Sequence, residues 1–204
     1  MNKSNQFLRI SRKNHAVLLQ ITSPDHTNKL ALQVVLSLID RVEQLRLNTE
    51  SGHIRGLIIT GSDKFFSAGA DLNEIARLTG PEALAFSRAG QTMTNSIDRF
   101  PVPVIAAIRG YCMGGGMDLA LACDYRIASP DIIFGHRGAS LGLITGWGGT
   151  QRLPRLIGKP RALQMFVMAE RVKADEALAA GLINEIHSDP VTQALRRVES
   201  LPPC

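Results

Sequence analysis

The stretch 104–124 constrains the fold of this chain more than any other part of the sequence. It begins with an apolar run, Val104–Ile108, which follows two prolines and is typical of a strand buried on both faces. Three glycines at 114–116 then precede apolar residues at helical spacing. The stretch therefore predicts a buried strand, a glycine-rich turn and a short helix.

The glycine-rich turn is a place where the backbone could bind a ligand. Glycine lets another group approach the main chain because it has no Cβ, and the first N–H groups of a helix have no partner within that helix. Such amides can stabilise a carbonyl oxygen that becomes negative during a reaction. Close packing of a helix on a sheet is the alternative explanation, and glycines alone do not decide between the two. A second turn of small residues, 67–71, follows the apolar run Gly56–Thr60.

The chain resembles the crotonase, or enoyl-CoA hydratase/isomerase, superfamily. The motifs that carry the resemblance are Ser67-Ala68-Gly69-Ala70-Asp71-Leu72, Pro103-Val104-Ile105-Ala106-Ala107-Ile108-Arg109-Gly110-Tyr111, Gly114-Gly115-Gly116-Met117-Asp118-Leu119-Ala120, Ala122-Cys123-Asp124, Gly148-Gly149-Thr150-Gln151-Arg152-Leu153-Pro154, Ala174-Asp175-Glu176-Ala177 and Gly181-Leu182-Ile183. They stand in the family's order over about residues 7–187. The resemblance implies a single α/β domain over 1–204, folded as a crotonase-like spiral of repeated β-β-α units. Family members usually continue with more helices, so we expect the C-terminal helical part to be truncated.

The same resemblance implies where an acyl-CoA thioester would bind. Two backbone amides, those of Ala70 and Gly115, would hold the thioester carbonyl and stabilise its enolate. The implied substrate-binding residues are Ala68, Ala70, Asp71, Leu72, Gly115 and Gly138. Coenzyme A would enter as part of the substrate, with no separate cofactor and no metal ion.

Asp118 takes the place of the first of two glutamates that hydratases of this family use. It lies three residues after Gly115, in the first turn of the predicted helix. An acid at this point could instead complement the helix dipole. The family context favours an acid–base role for Asp118, with one methylene less reach than a glutamate.

Gly138 takes the place of the second glutamate. No carboxylate occurs anywhere from Ile132 to Arg155, so a small shift of the alignment does not restore one. His136 is the candidate substitute because histidine as a residue type has an unperturbed pKa near neutrality; an ordinary histidine at the end of a strand is the alternative. Trp147 is expected to pack in the wall of the site. Replacing Gly138 by glutamate is expected to raise hydration, provided that the position does not need a positive φ and that the pocket closes without the family's further C-terminal helices.

The sequence thus predicts an acyl-CoA lyase or isomerase of the enoyl-CoA hydratase/isomerase type that hydrates poorly. The enzymatic alternatives are crotonase relatives that form an enolate without the glutamate pair, such as a CoA-ester decarboxylase or a naphthoyl-CoA synthase-like cyclase. The non-enzymatic alternative is a weak acyl-CoA-binding remnant. The family usually assembles as a homotrimer or hexamer, which is the expected partner state here.

Composition agrees with a globular protein and restricts the other classes of function. Hydrophobic residues make up 45% and charged residues 20% of the 204 residues, and the net charge is +5. No dense block of Lys and Arg with interleaved aromatics occurs, so nucleic-acid binding is not predicted. No apolar run has the length of a membrane span. The cysteines lack a metal or redox spacing, and two of them lie in apolar contexts as reduced thiols do, which suits a cytoplasmic location.

Periodicity and turn residues predict the remaining elements. A hairpin is expected at 7–11 and 15–22, with its turn at 12–14, and the segment 61–70 is expected to be a loop. Further strands are expected at 56–60, 102–108, 125–129 and 132–135. Helices are expected at 30–47, 72–78 (ended by Gly80), 81–100, 115–123, 149–157, 159–169, 174–180 and 191–200.

Overall fold

The chain alternates between two β-sheets, and helices follow the successive pairs of strands. This computed structural model describes residues 7–47, 49 and 54–202. The strands are β1 (Leu8–Lys13), β2 (Ala16–Ile21), β3 (Lys29–Leu30), β4 (Gly56–Thr60), β5 (Phe65–Ser67), β6 (Gly69–Ala70), β7 (Val104–Ile108), β8 (Tyr111–Met113), β9 (Tyr125–Ala128), β10 (Ile133–Gly135), β11 (Arg171–Lys173) and β12 (Glu185–Ile186). The α-helices are α1 (Leu32–Leu47), α2 (Leu72–Ile75), α3 (Gly80–Asp98), α4 (Gly115–Leu121), α5 (Gly149–Ile157), α6 (Lys159–Val167), α7 (Ala174–Ala179) and α8 (Pro190–Glu199). A 3-10 helix covers Gly138–Leu141.

The larger sheet has six strands in the order β1-β2-β4-β7-β9-β12. The β1–β2 hairpin is antiparallel, and all other neighbours in this sheet run parallel. Every residue of β4 and β7 is buried. On one face the sheet packs against Ala194 and Val198 of α8, while the main core lies on the other. Cover on both faces explains why these strands are continuous apolar runs.

The smaller sheet has four strands in the order β11-β10-β8-β5. Strands β5, β8 and β10 are parallel, and β11 joins them antiparallel. The successive pairs β4–β5, β7–β8 and β9–β10 each place one strand in each sheet before the chain turns into helical structure. This arrangement confirms the predicted α/β spiral of β-β-α units.

Local signals in the sequence explain where the long helix α3 begins. Thr79 and Glu82 form a capping box, in which each side chain bonds to the backbone of the other residue. Pro81 lies in the first turn, where a missing N–H costs nothing. Helix α3 then ends at Asp98, close to the predicted boundary.

Several predicted boundaries are wrong because tertiary pairing overrides local preference. Leu30, expected in the first helix, pairs with Ala70 in the short parallel β3–β6 ladder. The expected loop 61–70 therefore contains β5 and β6, and a further strand, Tyr111–Met113, lies between the predicted strand and the three glycines. Helix α2 stops at Ile75, and Gly80 starts the next helix instead of ending this one. In the described part of the chain, no helix is long and apolar enough to cross a membrane.

Candidate active site

The candidate site lies where three parallel strands of the smaller sheet end. Strand β5 ends at Ser67, β8 at Met113 and β10 at Gly135, and Gly135 is the register partner of Met113. Since the carboxyl ends of parallel strands meet at one edge of a sheet, the residues that follow them are brought together. Those residues are the first small-residue turn, the glycines at the start of α4 and His136.

The two small-residue turns approach each other backbone to backbone. An ideal Cβ at Gly69 would lie 2.7 Å from the carbonyl oxygen of Met113 and 3.2 Å from the amide nitrogen of Gly115. Gly69 has a φ of +91° and Gly114 a φ of +49°, a region that side chains other than glycine rarely adopt. Glycine is therefore required here by conformation, and at Gly69 by space as well.

Two polar residues that the sequence analysis did not single out fasten the first turn. Asn28 is fully buried, and its side-chain amide donates to the carbonyl of Phe65 over 2.8 Å. Ser67 donates to the carbonyl of Asn28 over 2.7 Å and accepts from the amide of Gly69 over 3.0 Å. Both are polar residues in segments that the sequence predicts to be loops. Such residues are common there, so the sequence did not mark these two as part of a site.

The remaining residues of the first turn have mixed environments. The amide of Ala68 donates to the carbonyl of Thr27. The carboxylate of Asp71 caps α2 by accepting from the amides of Asn73 and Glu74, so this side chain already has a structural function. Leu72 is half exposed. A substrate-binding role for Ala68, Asp71 and Leu72 stays a prediction.

Trp147 packs between the second turn and helix α3. Its ring lies against Phe86, with the ring centroids 5.3 Å apart, and its side chain is 4% exposed. A Cβ at Gly115 would come within 2.3 Å of the Trp147 ring, and one at Gly90 within 2.1 Å. Gly115 and Gly90 thus make room for the indole, which is the wall-packing role expected for Trp147.

Asp118 lies at the centre of a buried polar cluster. Its side chain is 1% exposed, and its Oδ1 lies 3.0 Å from Nε2 of His136, which is 4% exposed. Its Oδ2 accepts a hydrogen bond from the hydroxyl of Thr145. A buried carboxylate requires such partners because an unpaired charge in the interior is very costly. The structure therefore joins two predicted site residues, Asp118 and His136, and adds Thr145, which sequence reasoning missed.

The surroundings of this cluster are tightly packed. The ring of His136 contacts Phe166, with centroids 5.1 Å apart. A Cβ at Gly149 would come within 2.1 Å of Asp118 Oδ1, so this position has room only for glycine. Nearby, burial raises the pKa of the Cys112 thiol well above its usual value, which keeps the thiol protonated and unreactive.

Gly138 begins the 3-10 helix, and its φ is not positive. The nearest neighbours of a Cβ at this position belong to Leu143 and Ile144, and the carbonyl oxygen of Leu143 would lie only 2.5 Å away. The conformational condition for introducing a side chain at Gly138 is therefore met, but the steric one is not. Backbone must move before a glutamate fits there.

The described residues contain no group of three or more His, Cys, Asp and Glu side chains that could hold a metal ion. The polar cluster around Asp118 offers its own carboxyl group, the imidazole of His136 and the hydroxyl of Thr145, beside the backbone amides of the two turns.

Comparisons with known proteins agree on one family. Residues 11–201 match the family model described as enoyl-CoA hydratase/isomerase. The chain is 39% identical over 178 residues to a crotonyl-CoA hydratase of Syntrophomonas wolfei, an alignment that covers 87% of this chain and 67% of the relative. The chain spans about two thirds of the length of the curated relatives it matches.

Solved structures of similar proteins have the same fold as this chain. Pseudomonas aeruginosa DspI superposes with a TM-score of 0.91 at 34% identity, over 98% of this chain and 77% of the other. An enoyl-CoA hydratase from Bacillus anthracis superposes with a TM-score of 0.89 at 34% identity, over 95% of this chain and 76% of the other.

Proposed function

The chain belongs to the enoyl-CoA hydratase/isomerase family, and on that premise we propose that it binds an acyl-CoA thioester and stabilises the enolate of that thioester. The observation that carries the proposal is the approach of the two small-residue turns, which brings the backbone of Gly69 beside the amide of Gly115. Two turns that meet in this way can present amides to one carbonyl oxygen. Coenzyme A is part of the substrate, and no further cofactor is proposed.

The proposed oxyanion hole consists of the amides of Ala70 and Gly115. Gly115 is the first residue of α4, where the N–H has no acceptor within the helix. Donors fixed in place before the reaction stabilise developing negative charge without any cost of reorganisation. Removing one donor of this kind costs about 10²–10³ in turnover. Gly115→Pro removes the donor but also places a Cβ against the Trp147 ring, so it is the folded variant, identified by its melting transition, that is expected to lose that factor together with the spectral shift of a bound conjugated acyl-CoA.

The proposed acid–base group is Asp118, held by His136. The carboxylate takes a proton from the α-carbon of the thioester and returns it, as isomerisation requires. Hydration also needs a group that activates water. Because Gly138 supplies no carboxylate, we propose that α-proton transfer is faster than hydration in this protein. His136 is the candidate for the weak remaining hydration.

Exchange of the α-protons of butyryl-CoA with D₂O, followed by NMR, tests the proposal. Asp118→Asn keeps the volume of the side chain and removes the base, and a loss of about 10²–10⁴ in exchange rate is expected. Asp40→Asn, the same replacement at an exposed position of α1, is the matched control and is expected to exchange like the wild type. Equal rates for Asp118→Asn and the wild type would remove Asp118 from the mechanism.

A second function is favoured by Gly138 alone. A site that stabilises an enolate but lacks the hydratase pair suits decarboxylation of a CoA ester or a naphthoyl-CoA synthase-like cyclisation. Release of carbon dioxide from malonyl-CoA or methylmalonyl-CoA, in the absence of α-proton exchange on butyryl-CoA, would favour the decarboxylase. Tight binding of acyl-CoA without either reaction would identify a binding remnant.

The proposal extends to assembly and location. We expect a homotrimer or hexamer, and light scattering coupled to gel filtration measures its mass directly. A cytoplasmic location is proposed as well, and fractionation of the source cells tests it.

A further inference from the structure

The side chain of Asp118 has almost no contact with solvent and bonds to two partners. Its side chain is 1% exposed, Oδ1 bonds to His136, and Oδ2 accepts from the Thr145 hydroxyl. A base in this position can take up a proton from a substrate on one side. To exchange that proton with water, it needs a second route through one of the partners.

Of the two partners, Thr145 is the one that reaches open space. His136 is 4% exposed and its ring is packed on Phe166. Thr145 is only partly buried and lines a cleft of about 730 Å³. Polar side chains from α3 and α5 line the same cleft, among them Ser87, Gln91 and Gln151. Thr145 is therefore the residue that joins a buried carboxylate to a polar, open cleft, and its oxygen also lies 3.5 Å from the amide nitrogen of Trp147.

We propose that Thr145 relays protons between Asp118 and water in the cleft between α3 and α5. The inference rests on the proposed function, in which Asp118 accepts a proton from the thioester α-carbon. It assigns to Thr145 a role that acts through Asp118 rather than on the substrate.

The relay balances as two coupled transfers. When Asp118 takes the α-proton, the substrate becomes an enolate and the carboxylate becomes a neutral acid. The Oδ2–H of Asp118 then donates its proton to the Thr145 oxygen, while Thr145 passes its own hydroxyl proton to a cleft water. The net result is an ionised Asp118, an unchanged Thr145 and a proton in the cleft, and the reverse sequence brings a solvent proton back. A threonine hydroxyl can do this because it is both a donor and an acceptor.

Deuterium labelling distinguishes the relay from a structural role. In 3-butenoyl-CoA deuterated at the α-carbon, Asp118 removes a deuteron and returns it to the γ-carbon to give crotonyl-CoA. With the relay, the deuteron on Asp118 exchanges with water, and Asp118 then delivers a solvent proton to the γ-carbon. Without the relay, the same deuteron is delivered to the γ-carbon, and mass spectrometry of the product shows it there.

Thr145→Val removes the hydroxyl at almost constant volume, and Thr145→Ser keeps it. For Thr145→Val we expect the ratio of retained to exchanged deuterium to rise at least about tenfold, a modest part of what a positioned proton-transfer group contributes. Thr145→Ser is expected to behave like the wild type. Thr92→Val, at an exposed position of α3 whose hydroxyl bonds to the carbonyl of Arg88, is the matched control and should leave the ratio unchanged.

Equal label retention in Thr145→Val and the wild type would overturn the relay while leaving the proposed function intact. A wild type that neither isomerises nor exchanges would overturn the proposed function instead. A high-resolution crystal structure of the wild type tests the relay independently of catalysis and of any variant's folding. It is expected to show an ordered water bonded to the Thr145 oxygen in the cleft, and a dry hydroxyl there would overturn the relay.

Discussion

Gly138 allows a quantitative prediction, because the structure shows what a side chain there would meet. In Gly138→Ala, the added Cβ would lie 2.5 Å from the carbonyl oxygen of Leu143 and 3.1 Å from its carbonyl carbon. The obstacle is backbone, which cannot rotate away as the end of a flexible side chain can. Overpacking of this kind costs about 1–3 kcal/mol in the free energy of unfolding.

The expected change in melting temperature follows from the size of the chain. For a domain of this length, 1 kcal/mol corresponds to a shift of about 2–4 °C. Gly138→Ala should therefore melt about 2–12 °C below the wild type, as measured by circular dichroism at fixed protein concentration.

Gly80→Ala is the matched control for the same replacement. Gly80 begins α3 without a positive φ, and a Cβ added to it would have no neighbouring atom within 4 Å. This variant should melt at or slightly above the wild-type temperature, since alanine favours helix over glycine.

The same contact bears on catalysis. In Gly138→Glu, the Cβ of the glutamate would collide with the carbonyl oxygen of Leu143. The carboxylate therefore enters the site only if the 3-10 helix shifts. We expect a lowered melting temperature and no simple gain of crotonyl-CoA hydration. If Gly138→Ala melts like the wild type, or if Gly138→Glu hydrates crotonyl-CoA efficiently without loss of stability, the steric argument is refuted.

Three further predictions use other parts of the structure. Trp147 is the only tryptophan of the chain, and its ring packs beside Gly115, whose amide is a proposed oxyanion donor, so its fluorescence should change with saturable acyl-CoA binding and remain constant with free adenosine. Cys112 and Cys123 are buried, and burial raises the pKa of the Cys123 thiol to about 12, so neither should react with a thiol reagent at pH 8 until the protein is denatured. Hydrogen bonds, first of all from Ser23, hold the pKa of Asp25 far below its usual value of 3.8. The ionised Asp25 carboxylate therefore stabilises the folded protein above pH 3.8, and this contribution is lost as the pH falls below that value. The free energies of unfolding of Asp25→Asn and the wild type, measured in urea, should therefore converge in acid.

Sequence reasoning located the long, strongly patterned elements well. Strands β4 and β7 are continuous apolar runs between turn residues, and the helix Gly149–Ile157 has the predicted bounds. The short strands Arg171–Lys173 and Glu185–Ile186 were missed. Two or three residues contain no measurable period, and these strands exist only because a neighbour in the sheet offers hydrogen bonds to them.

The candidate site could be predicted in part. Family motifs pointed to the turns around Ala70 and Gly115, and the structure places the backbone of these turns together. The contact between Asp118 and His136 was not predictable from spacing, since it depends on the parallel register of β8 and β10. Thr145 lies beyond a further turn, in a segment of glycines and apolar residues, where nothing in its type marks it as a partner of a carboxylate.

The structure also bears on the alternative explanation of Asp118, that an acid in the first turn of a helix complements the helix dipole. Glu82 of α3 shows what that role looks like in this protein. It is exposed, and its carboxylate accepts from the backbone amide and hydroxyl of Thr79 at the start of its own helix. Asp118 differs from Glu82 both in its exposure and in the groups to which its side chain bonds.

The carboxylate of Asp118 is buried and bonds to groups from outside α4 rather than to the amides at the start of its helix. A dipole interaction is available at the surface for about 0.3–1 kcal/mol, whereas burying an ionised carboxylate costs several kcal/mol before its partners offset it. Helix electrostatics alone therefore do not account for this position. For a buried carboxyl group that bonds to a histidine and a threonine we propose proton transfer instead. Loss of α-proton exchange in Asp118→Asn, with Asp40→Asn unaffected, is the result that this proposal requires.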